Sequence, residues 1–262
     1  MRHPAACHGL ISLKVITAVR ATVGVAVLTA GVVTAHAEGH HWSYGKHGGP
    51  AEWGQLEESF ASCQLGKMQS PIDIRGAKDA DLPAISFDYK PARLKVIDNG
   101  HTIQVNYAPG STIDVGGTRY ELVQFHFHKP SEEKIDGKAH AMVAHLVHKG
   151  SDGALAVVAV LLDPGKDNAT LRTIWAHLPK QKDKESAPAA TIDAAGLLPA
   201  DKGYYTFAGS LTTPPCSEGV RWFVLKRPMT LAASEVHAFS RLYPMNARPT
   251  QPLNGRALEA TR

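Results

Sequence analysis

The sequence predicts a mainly β protein with short helices, in which a single domain is built around a large, mostly antiparallel sheet. Strand-like alternation of apolar and polar residues recurs along the chain between turn dipeptides, whereas helical periodicity is weak and confined to two short segments. Hydrophobic residues make up 44% and charged residues 20% of the 262 residues, which is typical of a globular protein that buries a full core.

The predicted strands begin with two hairpins. The segment RLKVIDNGHTIQVNY alternates on both sides of Asn99-Gly100, a dipeptide that is typical of hairpin turns. The segment GSTIDVGGTRYELVQFHFH repeats the pattern around Gly116-Gly117. The polar stretch PKQKDKESAPAA is predicted to be a surface loop. Further strands are predicted in 138–150, 153–163 and 220–229, and short helices in 168–179 and 232–244.

The first 37 residues have the order of a secretory signal peptide. They carry three basic residues and no acidic one, followed by an apolar stretch over 21–33 and by Ala35-His36-Ala37. The alternative is an N-terminal membrane anchor, but an apolar stretch of about 13 residues is shorter than the roughly 20 that span a bilayer. We therefore expect cleavage after Ala37, which leaves 38–262 as one domain without a membrane span.

Two cysteines, Cys63 and Cys216, remain after the signal, because Cys7 lies within it. An isolated pair in an exported chain is more typical of a disulfide than of free thiols, and no neighbouring group marks either cysteine as a catalytic thiol. Closing so long a loop would stabilise the fold by roughly 4–5 kcal/mol through chain entropy. We expect export to the periplasm, with release from the cell as the alternative.

Two histidines stand one residue apart inside the apolar run VQFHFHKP. In a strand, alternate side chains share a face, so Gln124, His126 and His128 point one way and Phe125 and Phe127 the other. The two imidazoles would then lie roughly 6–7 Å apart along the strand, close enough to share one metal. The alternative is that both rings pack at the edge of the core, where histidine is often found.

A third metal ligand is available in the next predicted strand, which carries His140, His145 and His148. The connection KPSEEKIDGK is hairpin-like, so we expect this strand to lie antiparallel beside the first. His140 and His148 share one face, and His145 lies on the other face with Val143 and Val147. Three histidines around an open fourth position are typical of a catalytic zinc site, whereas structural zinc sites are usually closed and rich in sulfur.

Six blocks of the sequence resemble the α-class carbonic anhydrases of the exported bacterial kind. The blocks are HHWSYGKHGGPAEW, QSPIDI, NGHTIQVNY, QFHFHKPSEE, AHLVHKG and GSLTTPPCSEGVRWFVLK, and they follow the order of the family from about His41 to Arg248. The resemblance implies an enzyme with one zinc ion per chain. Its reaction would be the reversible hydration of carbon dioxide to bicarbonate and a proton.

The resemblance also implies roles for the residues at the metal. His126, His128 and His145 match the zinc ligands. In the family, zinc lowers the pKa of its bound water, so that a hydroxide is available to attack carbon dioxide at neutral pH. Thr212 matches the threonine that accepts the hydrogen bond of this hydroxide, and Glu132 matches the glutamate that orients the threonine.

Other matching positions concern the substrate and the proton. His101 matches the histidine that shuttles the proton to solvent, and Thr213 matches a residue that contacts bicarbonate or water. The side chain of Gln124 and the backbone carbonyl of Asn246 match partners of the ligand histidines. The residues that match the apolar wall for carbon dioxide are Val147, Val157, Leu211, Val220 and Trp222. The residues that match those ordering the water between zinc and the shuttle histidine are Tyr44, Asn99 and Gln104.

Two positions depart from the family's pattern. Many members carry a glutamate two residues before the third ligand, where this chain has Val143, so the ring of His145 must find water, a carbonyl or another residue. Loss of such a partner costs roughly 10- to 100-fold in metal affinity or activity. We therefore expect zinc to dissociate roughly tenfold faster from this chain than from a Val143→Glu variant. Glu133 stands where a histidine is expected, and the sequence provides no account of it.

Two other functions fit parts of the pattern. One is a catalytically silent binding domain of the same fold, and the other is a periplasmic zinc buffer, which His40, His41 and His47 favour. The intact set of ligand histidines argues against the first function. The Thr212–Glu132 pair argues against the second, because buffering needs no aligned nucleophile. The formal charge of +4 falls to +1 without the signal, so no nucleic-acid partner is expected, and a homodimer is left open.

Overall fold

The computed structural model describes residues 41–262, and the predicted signal peptide with its cleavage site lies outside them. The central feature of the described residues is a sheet of twelve strands. The helices are short, and within 41–262 none of them has the length and apolar character needed to cross a membrane. The mainly β fold predicted from the sequence is therefore confirmed.

The three longest strands, β8 (Thr118–His128), β11 (Met142–Gly150) and β12 (Leu155–Pro164), lie next to one another in the middle of the sheet. The strands are β1 (Asp73–Ile74), β2 (Lys78–Ala80), β3 (Ile85–Asp88), β4 (Ala92–Arg93), β5 (Val96–Asp98), β6 (Ile103–Asn106), β7 (Thr112–Val115), β8 (Thr118–His128), β9 (Lys134–Ile135), β10 (Lys138–Ala139), β11 (Met142–Gly150), β12 (Leu155–Pro164), β13 (Thr191–Ile192), β14 (Tyr204–Ser210), β15 (Glu218–Leu225), β16 (Met229–Leu231) and β17 (Glu259–Thr261). The α-helices are α1 (Trp53–Leu56), α2 (Ser62–Leu65), α3 (Ala169–Trp175) and α4 (Ala233–Leu242), and 3-10 turns lie at Glu58–Phe60 and Ala194–Leu197.

The large sheet is mixed, although antiparallel pairs dominate it as predicted. Its strands follow the order β2-β17-β14-β15-β12-β11-β8-β6-β5, with β7 and β3 attached beside β8 and β16 attached beside β12. The strand β12 pairs in parallel with β15 and β16, and β17 pairs in parallel with β2. Parallel pairing needs a long crossover, and the segment between β12 and β15 provides one that contains α3 and β14.

The alternation of β8 divides its side chains between two hydrophobic cores on opposite faces of the sheet. Phe125 and Phe127 are fully buried in the larger core, which α3 and α4 cover with residues such as Leu171 and Phe239. The histidines of β8 point to the other face, where a smaller core packs around Trp222. The division of β8 into a phenylalanine face and a histidine face is the one that its sequence predicts.

The hairpin between β7 and β8 has the predicted two-residue turn. Pairing ends at Val115 and resumes at Thr118, so Gly116 and Gly117 form the whole turn. Both residues have positive φ, 59° and 84°, which glycine adopts without the steric cost that a side chain brings. The glycine pair therefore sets the register of β8 from its first residue.

The hairpin between β5 and β6 has a wider turn than its Asn-Gly dipeptide predicts. Pairing ends at Asp98 and resumes only at Ile103, so four residues form the turn. The side chain of Asn99 explains the difference, because its Oδ1 accepts hydrogen bonds from the backbone N–H groups of His101 (3.0 Å) and Thr102 (2.9 Å). These bonds hold the turn open in place of the tight two-residue form.

The predicted disulfide between Cys63 and Cys216 is present, with its sulfur atoms 2.08 Å apart. It joins α2 to the loop that follows β14, across a sequence separation of 153 residues. Both cysteines are buried in a small cluster with Trp53. The disulfide therefore ties the N-terminal part of the described chain to the loop that carries Thr212 and Thr213.

Replacing both bonded cysteines with alanine should lower the free energy of unfolding by about 5 kcal/mol, because the unfolded chain is then no longer closed into a long loop. Urea unfolding of the natural protein and the double variant under oxidising conditions measures the difference. Reducing the natural protein with dithiothreitol is the control and should cause a similar loss. Equal stability of the oxidised natural chain and the double variant would contradict this prediction.

Candidate metal centre and its cavity

Three histidines from two neighbouring strands converge on the smaller core. The strands β8 and β11 are antiparallel, and their register places His145 directly beside His126 and Val143 beside His128. The centroids of the three rings lie 4.7, 5.0 and 5.5 Å apart. One nitrogen of each ring lies within 4.8 Å of a nitrogen of both others. The structure therefore brings the three predicted ligands together, and a metal ion could contact all of them.

Two of the rings are held by hydrogen bonds from their Nδ1 atoms. The Nδ1–H of His126 donates to Oε1 of Gln124, and the Nδ1–H of His128 donates to the backbone carbonyl of Asn246, both at 2.8 Å. These acceptors are the two that the sequence predicts. Because each acceptor keeps the proton on Nδ1, Nε2 is free to bind a metal. The Nε2 atom of His128 is buried and has no hydrogen-bond partner within residues 41–262, which fits a role as a metal ligand.

The third ring is held by its other nitrogen. The Nε2–H of His145 donates to the carboxylate of Glu133, whose two oxygens lie 3.0 and 3.2 Å away, so Nδ1 is the atom left for a metal. Glu133 is fully buried and lies just before β9, not on β11. The sequence left the partner of His145 open, since Val143 accepts no hydrogen bond. The sequence did contain a signal for this partner. It has an unexplained carboxylate at Glu133, and it lacks the glutamate that many family members carry at the position of Val143.

The pKa values of two of the three rings favour the neutral imidazole, which is the form that binds a metal. Burial, followed by the effect of neighbouring His145, lowers the pKa of His126 to about 3, and the same causes lower the pKa of His128 well below its usual value. Burial also opposes protonation of His145, but the carboxylates of Glu133 and Glu132 outweigh it and raise the pKa of that ring. Three imidazoles that can each offer a free nitrogen form a donor set typical of zinc.

Glu132 lies beside two of the rings. Its carboxylate oxygens are 3.5 Å from Nδ1 of His128 and 3.8 Å from Nδ1 of His145. Burial raises the pKa of Glu132 to about 7, against the lowering effects of His145, of the Arg248 backbone N–H and of the Thr212 hydroxyl. Its Oε2 makes no hydrogen bond of standard geometry in the described part of the chain.

The predicted substrate wall forms one apolar cluster next to the rings. The ring of Trp222 stands nearly perpendicular to that of His145, with the centroids 4.9 Å apart. Val143 belongs to the same cluster. The cluster therefore places apolar surface directly beside the candidate metal centre. It contains or packs against all five predicted residues, which are Val147, Val157, Leu211, Val220 and Trp222.

A cavity of about 120 Å³ adjoins two of the candidate ligands, His126 and His128. It is lined by all four of the residues predicted for proton transfer and water ordering. A larger groove, of about 540 Å³, runs past Glu132 and contains none of the three histidines. The other residues that line the smaller cavity are Trp42, Tyr44, Asn99, His101, Thr102, Gln104, Gln124 and Thr213.

His101 lies in this cavity against two residues that the sequence analysis did not assign to the site. The ring of Trp42 stacks on it with centroids 3.6 Å apart and planes 8° apart, and the ring of His41 lies 5.1 Å away. Burial, followed by the charges of His41 and Lys182, lowers the pKa of His101, and Asp183 partly offsets this effect. The signal for Trp42 was its place in the first of the six matching blocks.

Comparison with known proteins decides the family. The family model of the eukaryotic-type carbonic anhydrases matches residues 48–262. The chain belongs to this family. The carbonic anhydrase of Neisseria gonorrhoeae is 46% identical over 234 residues, which cover 88% of this chain and 92% of that protein. The carbonic anhydrase of Pectobacterium carotovorum is 44% identical over 219 residues, which cover 83% of this chain and 90% of that protein.

A solved structure leads to the same family. It is that of a hyperthermostable carbonic anhydrase identified from an active hydrothermal vent chimney. The two structures agree with a TM-score of 0.82 at 45% sequence identity, over 85% of this chain and 100% of the other. The carbonic anhydrase fold that the six sequence blocks imply is thereby confirmed.

Replacing Trp42 with alanine should raise the pKa of His101. The stacked indole keeps water from one face of the imidazole, and restored hydration favours the protonated ring. An NMR titration of the His101 side chain in the natural protein and in the Trp42→Ala variant measures the change, with His177 as an internal reference. The prediction is wrong if the pKa of His101 falls or stays the same in the variant.

Proposed function

We propose that this carbonic anhydrase holds one zinc ion through His126, His128 and His145 and catalyses the reversible hydration of carbon dioxide to bicarbonate and a proton. One observation carries the proposal: three imidazoles, two buried and one partly buried, are each held at one nitrogen and bring their other nitrogens within 4.8 Å of one another beside an apolar cluster. Three histidine ligands with a fourth position left open are typical of catalytic zinc.

Bound zinc would supply a Lewis acid that lowers the pKa of a coordinated water. The chain's own groups would orient the reacting water. Glu132 already accepts the backbone N–H of Arg248 on Oε1 at 2.7 Å, which leaves Oε2 to accept the hydroxyl proton of Thr212. A hydroxyl that has donated its one proton can only accept from the water. Thr212 would therefore select one orientation of the water and point a lone pair towards the substrate.

The apolar cluster suits carbon dioxide as the substrate. Carbon dioxide has no charge and needs no hydrogen-bond donor, so an apolar wall can hold it next to the metal centre. Bicarbonate carries a charge that is costly to bury in such surroundings, and this difference favours its release. Thr213, which lines the cavity, is the group that we expect to contact bicarbonate. The wall would consist of Val147, Val157, Leu211, Val220 and Trp222.

The proton released by hydration would leave through the cavity that contains His101. Histidine suits this step because its pKa lies near neutrality, so the ring can both accept and release a proton. Tyr44, Asn99 and Gln104 line the same cavity and offer polar groups that can order the intervening water. Asn99 also donates to Oε1 of Gln104 at 3.3 Å, which fixes the orientation of both amides.

We further propose that the protein works outside the cytoplasm, in the periplasm. The sequence of 1–37 has the order of a cleavable signal. The disulfide between Cys63 and Cys216 supports an oxidising compartment, because such bonds persist there and are rare in reducing ones.

Stopped-flow measurement of carbon dioxide hydration by the zinc-loaded protein tests the proposed activity. A hydration rate that depends on bound zinc supports the enzyme. Tight zinc binding without hydration would favour the silent domain or the zinc buffer, and would overturn the proposal.

Replacing His128 with alanine should remove zinc and abolish hydration, because two imidazoles remain where three are needed. Zinc content by mass spectrometry and hydration by stopped flow are the two measurements. His140→Ala is the matched control. His140 lies next to β11 but bonds to Asp163 at 2.7 Å, away from the metal centre, so this variant should keep its zinc and its rate. A fully active, zinc-loaded His128→Ala variant would refute the ligand assignment.

Replacing His101 with alanine should lower kcat roughly tenfold or more in weak buffer, because kcat includes the exit of the proton. The ratio kcat/KM for carbon dioxide should change little, since it does not include that step. Added imidazole should restore part of the lost kcat. An equal fall in kcat and kcat/KM, without rescue, would mean that His101 has a structural role instead.

A further inference from the structure

We propose that Glu133 is the positioning residue of the third zinc ligand, His145. On this view its carboxylate, from the loop before β9, does what a strand glutamate at position 143 does in related sequences. The inference rests on the proposed zinc site. The two departures from the family's pattern are then related. In this exchange, the carboxylate that is missing at Val143 is replaced by the carboxylate of Glu133.

The geometry of the contact between Glu133 and His145 carries the proposal. Both carboxylate oxygens face the Nε2–H of the ring, at 3.0 and 3.2 Å, and both side chains are almost completely shielded from water. A hydrogen bond to an ionised carboxylate is stronger than one between neutral groups. It holds the ring in one orientation and one tautomer, with Nδ1 free. The other two rings donate to neutral acceptors, an amide and a backbone carbonyl.

The backbone of Glu133 is anchored on both sides, as a positioning role requires. Its carbonyl accepts a hydrogen bond from the hydroxyl of Ser131 at 2.7 Å, and the same hydroxyl accepts the backbone N–H of His140 at 2.9 Å. The next residue, Lys134, begins β9 and pairs with Asp73 of β1. The carboxylate is therefore carried by a segment that is fixed to β1 on one side and to the backbone of His140 on the other.

The surroundings of Val143 show why a strand carboxylate is absent. Val143 is fully buried in the apolar cluster and lies between His128 and Leu161 in the sheet register. The site already encloses two buried carboxylates, Glu132 and Glu133. A third would place another like charge in the same shielded space, which disfavours its ionised form. One carboxylate for His145 can come from the strand or from the loop, but a second is unfavourable.

The exchange changes what is expected of zinc release. A carboxylate that accepts the N–H of a ligand histidine raises the basicity of the ring and fixes its direction. Val143 by itself predicts fast zinc release from the natural chain and slower release from a Val143→Glu variant. With Glu133 in place no slowing is expected from Val143→Glu, because the natural chain already holds His145 in one orientation.

Release of zinc into a chelator, at one pH, tests the role of Glu133. Glu133→Ala should release zinc roughly 10- to 100-fold faster than the natural protein. Glu133→Gln keeps an acceptor oxygen but loses the charge, and should lie between the two. Asp163→Asn is the matched control, because it neutralises a histidine–carboxylate pair outside the metal centre, and should release zinc at the natural rate. Natural release rates in both Glu133 variants would overturn the proposal.

The variant Val143→Glu tests the exchange itself. In the Glu133→Ala background it should slow zinc release roughly tenfold, because the strand carboxylate then replaces the lost loop carboxylate. In the natural background it should not slow release, because His145 already has its partner. Equal slowing in both backgrounds would show that the two positions act independently, and would refute the exchange.

The tautomer of His145 in the metal-free protein provides a readout that needs no zinc. At a pH high enough to keep the ring neutral, its ¹⁵N chemical shifts should report a proton on Nε2 and a bare Nδ1 in the natural chain, and a mixture of tautomers in Glu133→Ala. An unchanged tautomer in that variant would overturn the proposal. A natural chain that keeps this tautomer but neither binds zinc nor hydrates carbon dioxide would overturn the proposed function alone, with the positioning of His145 by Glu133 upheld.

Discussion

The hydrogen bonding of three imidazole rings, two buried and one partly buried, on one face of the central sheet is the constraint on which the site depends. Each ring has two nitrogens, and a buried N–H without an acceptor costs roughly 1–3 kcal/mol. An amide on β8, a backbone carbonyl after α4 and a carboxylate before β9 accept the three protons. These acceptors decide which nitrogen of each ring stays free. The metal site is thus a consequence of where the second nitrogens find their partners.

The middle of the sheet supplies the precision that this arrangement requires. The long antiparallel pair β8 and β11 places His126 directly beside His145, so two ligands are set by a register that many backbone bonds share. The same alternation turns His148 to the opposite face, where Nε2 lies 2.8 Å from the hydroxyl of Tyr89. Metal ligands and core residues therefore alternate along one strand without competing for space.

Segments far apart in the chain meet behind the ligands, and Arg248 joins them. Its guanidinium donates to Gln69 and to the carbonyls of Ser70 and Cys63 at 2.7–2.9 Å, and its backbone N–H donates to Glu132. The Cys63–Cys216 disulfide ties the loop of Thr212 to the same region. The carboxylate of Glu132 and the hydroxyl of Thr212, which would orient the reacting water, are therefore held by one connected set of contacts. The same contacts stabilise the fold.

The sequence by itself determined the features that depend on near neighbours along the chain. Alternation in VQFHFHKP separates the histidine face from the phenylalanine face, a glycine pair marks a tight turn, and the family blocks point to His126, His128 and His145 as the candidate ligands. The tertiary structure alone decided that Glu133 is the partner of His145 and that Trp42 covers His101. Such contacts depend on how loops return to the sheet, and a loop's path is set by packing against distant segments. The path of such a loop cannot be predicted from residue type and spacing alone.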